Sequence, residues 1–343
     1  MVENFESAFN ARYSHLTRKI LGLLSRNSRI TISEMSRELN VSRRTIQLRL
    51  KRIEAEFGIK YTLELDEEKL GISSKHLIFV KFRKAFNSSE VQRLLLKSGI
   101  VQFAAALKGR YQLMIYAASQ SPWAYANWDR NMRRSLLLPF NAYWETSEVD
   151  FRHFGFFPLR NSLLEKVKIP ERHRAMLLLL NENSRMSFTE LSKRLGVKYK
   201  TVVYNFQALV RLGIISRFTI CMQRHEQISL MCLFSKYIPP KNYEEARRLT
   251  KLLLTSDEPS PLVSRYLINA SLIGSFDFFA MGTFDSFNAG YRNLVINYKR
   301  AFRRFNTIRL GYGEVTEVMV GNLPVRSLPA KNDYKEAGIA GED

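Results

Sequence analysis

An internal repeat in this chain of 343 residues constrains its fold more than any other feature of the sequence. At an offset of 156 residues, the segment 18–46 aligns without a gap with the segment 174–202. Twelve of the 29 aligned positions are identical: Arg18/Arg174, Leu21/Leu177, Leu23/Leu179, Leu24/Leu180, Asn27/Asn183, Ser28/Ser184, Arg29/Arg185, Glu34/Glu190, Ser36/Ser192, Leu39/Leu195, Val41/Val197 and Thr45/Thr201. This period is too long for a solenoid repeat, so it indicates the duplication of a whole structural unit.

Each copy has the pattern of three short helices. In the first copy, the apolar residues between Leu16 and Leu24 have helical spacing, and a second helix is predicted from an N-cap at Ser33 to Leu39. Asn40 then provides a tight turn, because asparagine tolerates the left-handed conformation, and Gly196 takes this place in the second copy. A third helix is predicted from Ser42 to the helix-terminating Gly58, with one apolar stripe: Ile46, Leu50, Ile53 and Phe57.

The opposite face of this third helix is basic. Two short helices joined by a tight turn, with the second helix basic, are typical of a helix-turn-helix unit that places its recognition helix in the major groove of DNA. Arginine can bond guanine and glutamine can bond adenine, whereas basic residues farther along the helix are expected at phosphates. The candidate DNA-binding residues are Ser42, Arg43, Arg44, Gln47, Lys51 and Arg52. The alternative is a three-helix bundle with a solvated basic face.

The third helix of the second copy, predicted over 198–212, is less basic. Its predicted buried stripe is Val202, Phe206, Leu209 and Val210. The candidate DNA-binding residues are Lys198, Tyr199, Lys200 and Tyr204, and their different chemistry predicts a different base preference. The alternative is that this copy is structural or binds a protein.

Positive charge is concentrated in the two copies. The chain contains 53 Lys and Arg against 32 Asp and Glu, a formal net charge of +21. Residues 15–60 hold 11 basic and 4 acidic residues, and residues 166–217 hold 11 and 3, so these two segments supply +7 and +8. Such segments predict a polyanionic partner, of which nucleic acid is the usual one. With the helix-turn-helix pattern, the expected partner is double-stranded DNA. The alternative is a basic protein without a nucleic-acid role.

The segments that follow the copies have the order of a linking strand and then a βαββαβ unit, which suggests a ferredoxin-like sandwich. The sequence therefore predicts an α+β fold in which two helix-turn-helix domains alternate with two ferredoxin-like βαββαβ domains. The predicted domains are 1–60 (helix-turn-helix), 61–160 (ferredoxin-like), 161–216 (helix-turn-helix) and 217–322 (ferredoxin-like), followed by a disordered tail over 323–343.

Several segments together resemble the leucine-responsive (Lrp/AsnC) family of prokaryotic transcriptional regulators, which is common in archaea. They are RKILGLLSRNSRITISEMSRELNVSRRTIQLRLKRIE, FGIKYTLELDEEKLG and LKGRYQLMIY in the first half, and LVRLGIISRFTICM and LIGSFDFFAMG in the second. The resemblance implies a winged or plain helix-turn-helix, a linking strand and a βαββαβ ligand-sensing domain. Because family members dimerise through the sensing domains and their linking strands, one chain would here contain both halves of a pseudo-dimer.

The resemblance also implies an effector pocket, for a small molecule such as an amino acid, near the hairpin turn of each sensing domain. Carried over to this sequence, the first turn is Gly109, Arg110, Tyr111 and Gln112, and the second is Gly274, Ser275, Phe276 and Asp277. The family often has Asp at the last position, from which Gln112 departs. The alternative is a turn that needs glycine for its backbone and binds no ligand. Association of whole chains through the ferredoxin-like domains is implied as well.

The remaining expectations concern what the chain lacks. The N-terminus has no signal-peptide pattern and no apolar run is long enough to cross a bilayer, which favours a cytoplasmic protein. Cys221 and Cys232 are expected to pack in strands, and no cofactor or metal site is expected. One alternative is an enzyme similar to sirohaem decarboxylases on the same scaffold, although no two of the five histidines are at ligand spacing: His15, His76, His153, His173 and His225. Another is an architectural DNA binder with little sequence preference. We expect a regulator without catalytic residues.

Overall fold

The computed structural model describes residues 15–155, 157–223, 229–238, 266–284, 287–296 and 307–325, with positions 241, 244 and 299. The helix expected over 243–254 lies almost wholly outside the described residues, as do residues 326–343 of the expected tail.

The first copy of the repeat folds into α1 (His15–Arg26), α2 (Ile32–Leu39) and α3 (Arg43–Phe57). The Ser42 hydroxyl caps α3 by accepting a bond from the Thr45 backbone N–H at 3.1 Å, and Asn40 is left-handed, as predicted. The N-cap predicted for α2 at Ser33 is wrong. Thr31 caps this helix in a capping box with Glu34, in which the Thr31 N–H and a Glu34 carboxylate oxygen are 2.7 Å apart.

The second copy folds in the same way, after a short helix α6 (Asn161–Leu164), into α7 (Glu171–Glu182), α8 (Phe188–Leu195) and α9 (Tyr199–Arg211). Gly196 makes the left-handed turn between α8 and α9. The predicted buried stripe of α9 is wrong at its end, because Val210 is 43% exposed. Asn205 and Ala208 are buried instead, so the buried face is rotated about the helix axis from the predicted one.

The two linking strands pair with each other. Strand β1 (Ile59–Leu65) follows α3 and strand β6 (Ile215–Met222) follows α9; they are antiparallel, with Thr62 opposite Thr219. A short strand β11 (Leu323–Pro324) extends this sheet beside β6. The expectation of a disordered tail is therefore wrong for its first residues, which are held by backbone pairing.

The other strands form a single closed barrel rather than two sheets. The first unit contributes β2 (Ser74–Phe82), β3 (Val101–Gly109), β4 (Leu113–Ser119) and β5 (Ala142–Phe154), and the second contributes β7 (Ser229–Tyr237), β8 (Tyr266–Gly274), β9 (Phe278–Phe284) and β10 (Thr307–Val320). Their order around the barrel is β10-β3-β4-β2-β5-β8-β9-β7. Helix and strand occur together as predicted, but the expected alternation of separate ferredoxin-like domains is corrected, since β3 pairs with β10 and β5 pairs with β8 across the units.

Strands in the middle of the first unit are buried on both faces. All seven residues of β4 are buried. One face of the first unit packs under α4 (Ser88–Lys97) and α5 (Pro122–Phe140), for example through Ile78 and Leu95. The other face packs against the second unit, where the rings of Phe79 and Phe234 are 4.5 Å apart. The second unit carries the short helix α10 (Phe287–Tyr291), which continues as a π-helical turn over Arg292–Ile296.

Both cysteines lie in strands, as expected: Cys221 in β6 and Cys232 in β7. Burial raises the pKa of each thiol to about 12, which makes both thiols weak nucleophiles at neutral pH. No helix in the described part of the chain has the length and apolar character needed to span a bilayer.

Candidate functional site

Helix α3 presents its predicted DNA-binding face to solvent. All six candidate side chains of the first copy, from Ser42 to Arg52, are exposed, while Ile46, Leu50 and Ile53 face the core. Among the ion pairs found in the described residues, none involves the basic side chains of this face. Leu48, on the same helix, is 58% exposed. The helix therefore offers free donors and one apolar side chain, as a surface for the edges of bases and for phosphates would require.

Helix α9 presents a different face. Lys198, Tyr199, Lys200 and Tyr204 are exposed, with Tyr199 at 53% and Tyr204 at 65%. Lys198 occupies the N-cap position but makes no side-chain capping bond, unlike Ser42 in the first copy. Its ammonium group is exposed at the start of the helix, where the helix dipole also favours an anion such as a phosphate.

The two helix-turn-helix modules touch through equivalent residues of the repeat. The hydroxyl oxygens of Ser28 and Ser184, which are 156 positions apart, form a buried hydrogen bond of 2.7 Å. Contact between equivalent residues is the signature of an interface with approximate two-fold symmetry. The pair therefore marks the axis that relates the modules within this one chain.

Each module is also bonded to the linking strand of the other copy. The Ser28 N–H donates to the Phe218 carbonyl of β6 at 2.9 Å, and the Ser184 N–H donates to the Tyr61 carbonyl of β1 at 3.1 Å. The Thr219 hydroxyl of β6 donates to the Ser25 carbonyl of α1 at 2.8 Å. These residues were not predicted from the sequence as a functional set. The signal was present, because Asn27, Ser28 and Arg29 recur unchanged in the second copy.

The barrel brings the two predicted effector turns together. Tyr111 from the first turn and Phe276 from the second are both buried, and their rings meet edge to face with centroids 6.1 Å apart. Arg110 is exposed, with its guanidinium 5.7 Å from the centre of the Tyr111 ring. The two turns that the resemblance implied are therefore joined through their buried rings.

The turn glycines lie against the opposite unit. A Cβ on Gly109 would be 2.8 Å from the Tyr312 carbonyl oxygen of β10, and a Cβ on Gly274 would be 2.8 Å from the Thr146 carbonyl oxygen of β5. Gly274 has a φ of +135°, which side chains rarely tolerate. Both glycines are thus required where the strands of the two units meet, as well as for the hairpins themselves.

We expect Gly274→Ala to destabilise the protein by about 1–3 kcal/mol from backbone strain alone, because residue 274 would have to keep an unfavourable φ or open the β5–β8 seam. Thermal unfolding followed by circular dichroism measures this loss. Gly22→Ala is the matched control, since a Cβ there meets nothing within 4 Å and Gly22 lies inside α1. A melting temperature of G274A equal to that of the wild type would contradict the proposed close approach.

An ion pair between Arg309 and the buried Glu145 lies against Tyr111 of the first turn. The Arg309 guanidinium donates to both carboxylate oxygens of Glu145, at 2.7 and 2.6 Å, and lies 4.9 Å from the centre of the Phe276 ring. The Tyr111 hydroxyl donates to the same carboxylate, and the Tyr143 hydroxyl does so at 3.0 Å. Glu145 comes from β5 and Arg309 from β10, so the pair links the two units across the barrel.

The last residue of each turn is bonded to the end of a neighbouring strand, β7 for Asp277 and β2 for Gln112. The Asp277 carboxylate accepts bonds from the Lys236 ammonium at 2.6 Å and from the Tyr237 N–H at 3.0 Å. In the first turn, the Gln112 side-chain oxygen accepts a bond from the Phe82 N–H at 3.0 Å and its nitrogen donates to the Gly109 carbonyl at 3.2 Å. Gln112 therefore takes the place in the first turn that Asp277 has in the second. Its side-chain oxygen accepts a bond from a backbone N–H, as the Asp277 carboxylate does.

The histidines do not form a site among the described residues. His76 stacks on Tyr125 with ring centroids 3.6 Å apart, and burial lowers its pKa to about 4. His15 and His173 lie at the starts of α1 and α7, while the side chains of His153 and His225 are outside the described residues. No group of three His, Cys, Asp or Glu in the described part of the chain could hold a metal ion.

Comparison with known families matches both modules. The AsnC-type helix-turn-helix domain matches residues 16–54, and a winged helix-turn-helix DNA-binding domain matches residues 169–216. A solved structure, that of the siroheme decarboxylase NirDL, has a similar fold over nearly the whole chain. The TM-score is 0.56 at 12% identity, with 94% of this chain and 97% of that chain covered.

Two curated relatives are uncharacterised helix-turn-helix-type transcriptional regulators. That of Pyrococcus abyssi is 31% identical over 103 residues, which are 30% of this chain and 69% of the relative. That of Pyrococcus furiosus is 32% identical over 108 residues, which are 31% of this chain and 72% of the relative. With the AsnC-type module and the paired linking strands, these matches show that the chain belongs to the Lrp/AsnC family of helix-turn-helix transcriptional regulators.

Proposed function

We propose that this protein is a sequence-specific DNA-binding transcriptional regulator in which one chain supplies both helix-turn-helix modules of a pseudo-dimer. The observation that carries the proposal is the presence of two exposed recognition helices on modules that meet at the Ser28–Ser184 axis. A two-fold arrangement of recognition helices suits successive major grooves, whose centres are about 34 Å apart on one face of DNA.

The two half-sites of such an operator should differ. Arg43, Arg44 and Gln47 on α3 suit guanine and adenine edges. Helix α9 instead offers Tyr204 and, between two lysines, Tyr199. We therefore expect an asymmetric or imperfectly palindromic site. We place a small-molecule effector such as an amino acid at the two turns, where Arg110 is exposed while Gln112 and Asp277 are bonded within the protein.

Footprinting on the promoter of the protein's own gene tests the proposal. We expect one bounded footprint that covers about two helical turns of DNA. Uniform protection that spreads with protein concentration would instead indicate an architectural DNA binder. The absence of protection at low salt, where phosphate contacts are strongest, would contradict DNA binding altogether.

The fold shared with a siroheme decarboxylase over the whole chain favours an enzyme as the second candidate. The described histidines do not fit such a site well, since they lie on separate elements and His76 is covered by Tyr125. Titration of the protein with an iron porphyrin would test this candidate. A stoichiometric shift of the porphyrin absorbance would support the enzyme candidate. Proteins that share one fold can differ in function.

A further inference from the structure

The guanidinium of Arg29 reaches from the first module into the second. It donates to the Ser184 carbonyl at 2.5 Å and to the Met186 carbonyl at 3.2 Å. It also lies among three aromatic rings of the second copy, 5.3–5.6 Å from their centres: Phe188, Phe206 and Phe218. Phe206 belongs to the recognition helix α9. Arg29 therefore touches the helix that reads DNA in the other module.

Its repeat equivalent, Arg185, makes the reciprocal contact. The Arg185 guanidinium donates to the Ile30 carbonyl at 2.7 Å and lies 4.7 Å from the centre of the Tyr61 ring. The Tyr61 hydroxyl accepts a bond from Arg185 at 3.2 Å and donates to the carboxylate of Glu54 at 2.5 Å. Glu54 belongs to α3, so Arg185 is connected to the first recognition helix through one tyrosine.

These contacts place two like charges near each other in a half-buried interface. Burial, and to a smaller extent the charge of Arg185, lowers the pKa of the Arg29 guanidinium. An exposed guanidinium would avoid the free-energy cost of losing water around its charge. Carbonyl acceptors and ring faces compensate for that cost here. Because these contacts are directional, they fix the orientation of the two modules as well as holding them together.

We propose that Arg29 and Arg185 are positioning residues that hold α3 and α9 in one relative placement, so that the protein accepts a single spacing between its two half-sites. This inference rests on the proposed DNA-binding function. Each of the two reciprocal contacts ends on the recognition helix of the other module. Both modules belong to one chain. A change in spacing by half a helical turn would then leave one helix facing away from its groove.

The test measures affinity on DNA with different spacers. The two half-sites of the footprint are separated by their natural spacer or by that spacer plus 2, 5 or 10 base pairs, a designed set that spans one helical turn of about 10.5 base pairs. For the wild type, we expect five added base pairs to reduce affinity at least about 100-fold, to that of a single half-site, because the gain from bivalent binding is lost. In Arg29→Leu/Arg185→Leu we expect the loss caused by five added base pairs to fall to about 10-fold or less. The modules then keep only the Ser28–Ser184 bond and the backbone bonds to the linking strands, which restrict their orientation less.

Two controls separate positioning from folding and from charge. Lys19→Leu and Arg172→Leu each remove one exposed positive charge from α1 and α7, and should keep the wild-type dependence on spacing. Affinity for one isolated half-site should be similar in all variants. If the double variant does not fold, Arg29→Lys, which keeps the cation but loses the forked donors, should show an intermediate dependence. Wild-type spacing dependence in a folded R29L/R185L or R29K protein would overturn the proposal, as would a wild type indifferent to spacing. The footprint itself tests the underlying DNA binding separately.

Discussion

Replacement of Arg43 and Arg44 together by Ala should abolish sequence-specific DNA binding while leaving the fold intact. Both side chains are exposed at the start of α3, and neither takes part in the ion pairs found among the described residues. A bidentate contact between arginine and guanine discriminates by about 1–3 kcal/mol. Two such contacts correspond to a loss of at least about 30-fold in affinity for the operator, with much less effect on unrelated DNA. Fluorescence anisotropy with both DNAs measures the difference.

The matched control is Lys51→Ala/Arg52→Ala, which removes the same charge from the far part of α3. These residues are expected at phosphates, so their loss should weaken binding to all sequences alike and reduce the slope of log affinity against log salt by about 2. Lys198→Ala/Lys200→Ala removes the same charge from the start of α9, at the positions equivalent to Ser42 and Arg44. If R43A/R44A lost specific and non-specific affinity equally, arginine readout by α3 would be wrong. An unchanged affinity and salt slope would remove α3 from the interface.

Replacement of Arg309 by Met should destabilise the barrel by about 3–5 kcal/mol, because it leaves the Glu145 carboxylate buried without its cation. Only 6% of the Glu145 side chain is exposed, and the tyrosine hydroxyls that remain cannot neutralise its charge. All three tryptophans of the chain, Trp123, Trp128 and Trp144, lie in α5 and β5, so their fluorescence during urea unfolding reports on the barrel.

Two further variants distinguish a stranded charge from lost packing. In Arg309→Met/Glu145→Leu no charge is left behind, so this double variant should be more stable than R309M alone. Arg194→Met breaks an exposed pair with Glu190 on α8, whose side chains are 50% and 46% exposed, and should cost less than about 1 kcal/mol. Equal losses in R309M and R194M would show that the Arg309–Glu145 pair does not hold the barrel closed.

The local structure of the modules was predictable because it depends on residues close in sequence. The left-handed turn at Asn40, the cap at Ser42 and the stripe of α3 follow from side-chain shape and helical periodicity. The cap of α2 was misplaced by two residues because Thr31 and Ser33 are both good N-caps. Glu34 decides between them, since only Thr31 places it at the position that completes a capping box.

The sequence by itself determined the duplication, the two helix-turn-helix modules, the linking strands and the exposed basic face of α3. Only the tertiary structure decided that the two sheets close into one barrel, because the seam pairs β3 with β10, about 200 residues later in the chain. The uninterrupted apolar run of β4 indicated burial on both faces but not the partner of either face. Arg29 is a second example. The repeat shows that this arginine occurs in both copies, but only the folded chain shows that it lies against α9. A side chain's sequence neighbours set its local conformation, whereas its role depends on residues that the fold brings to it.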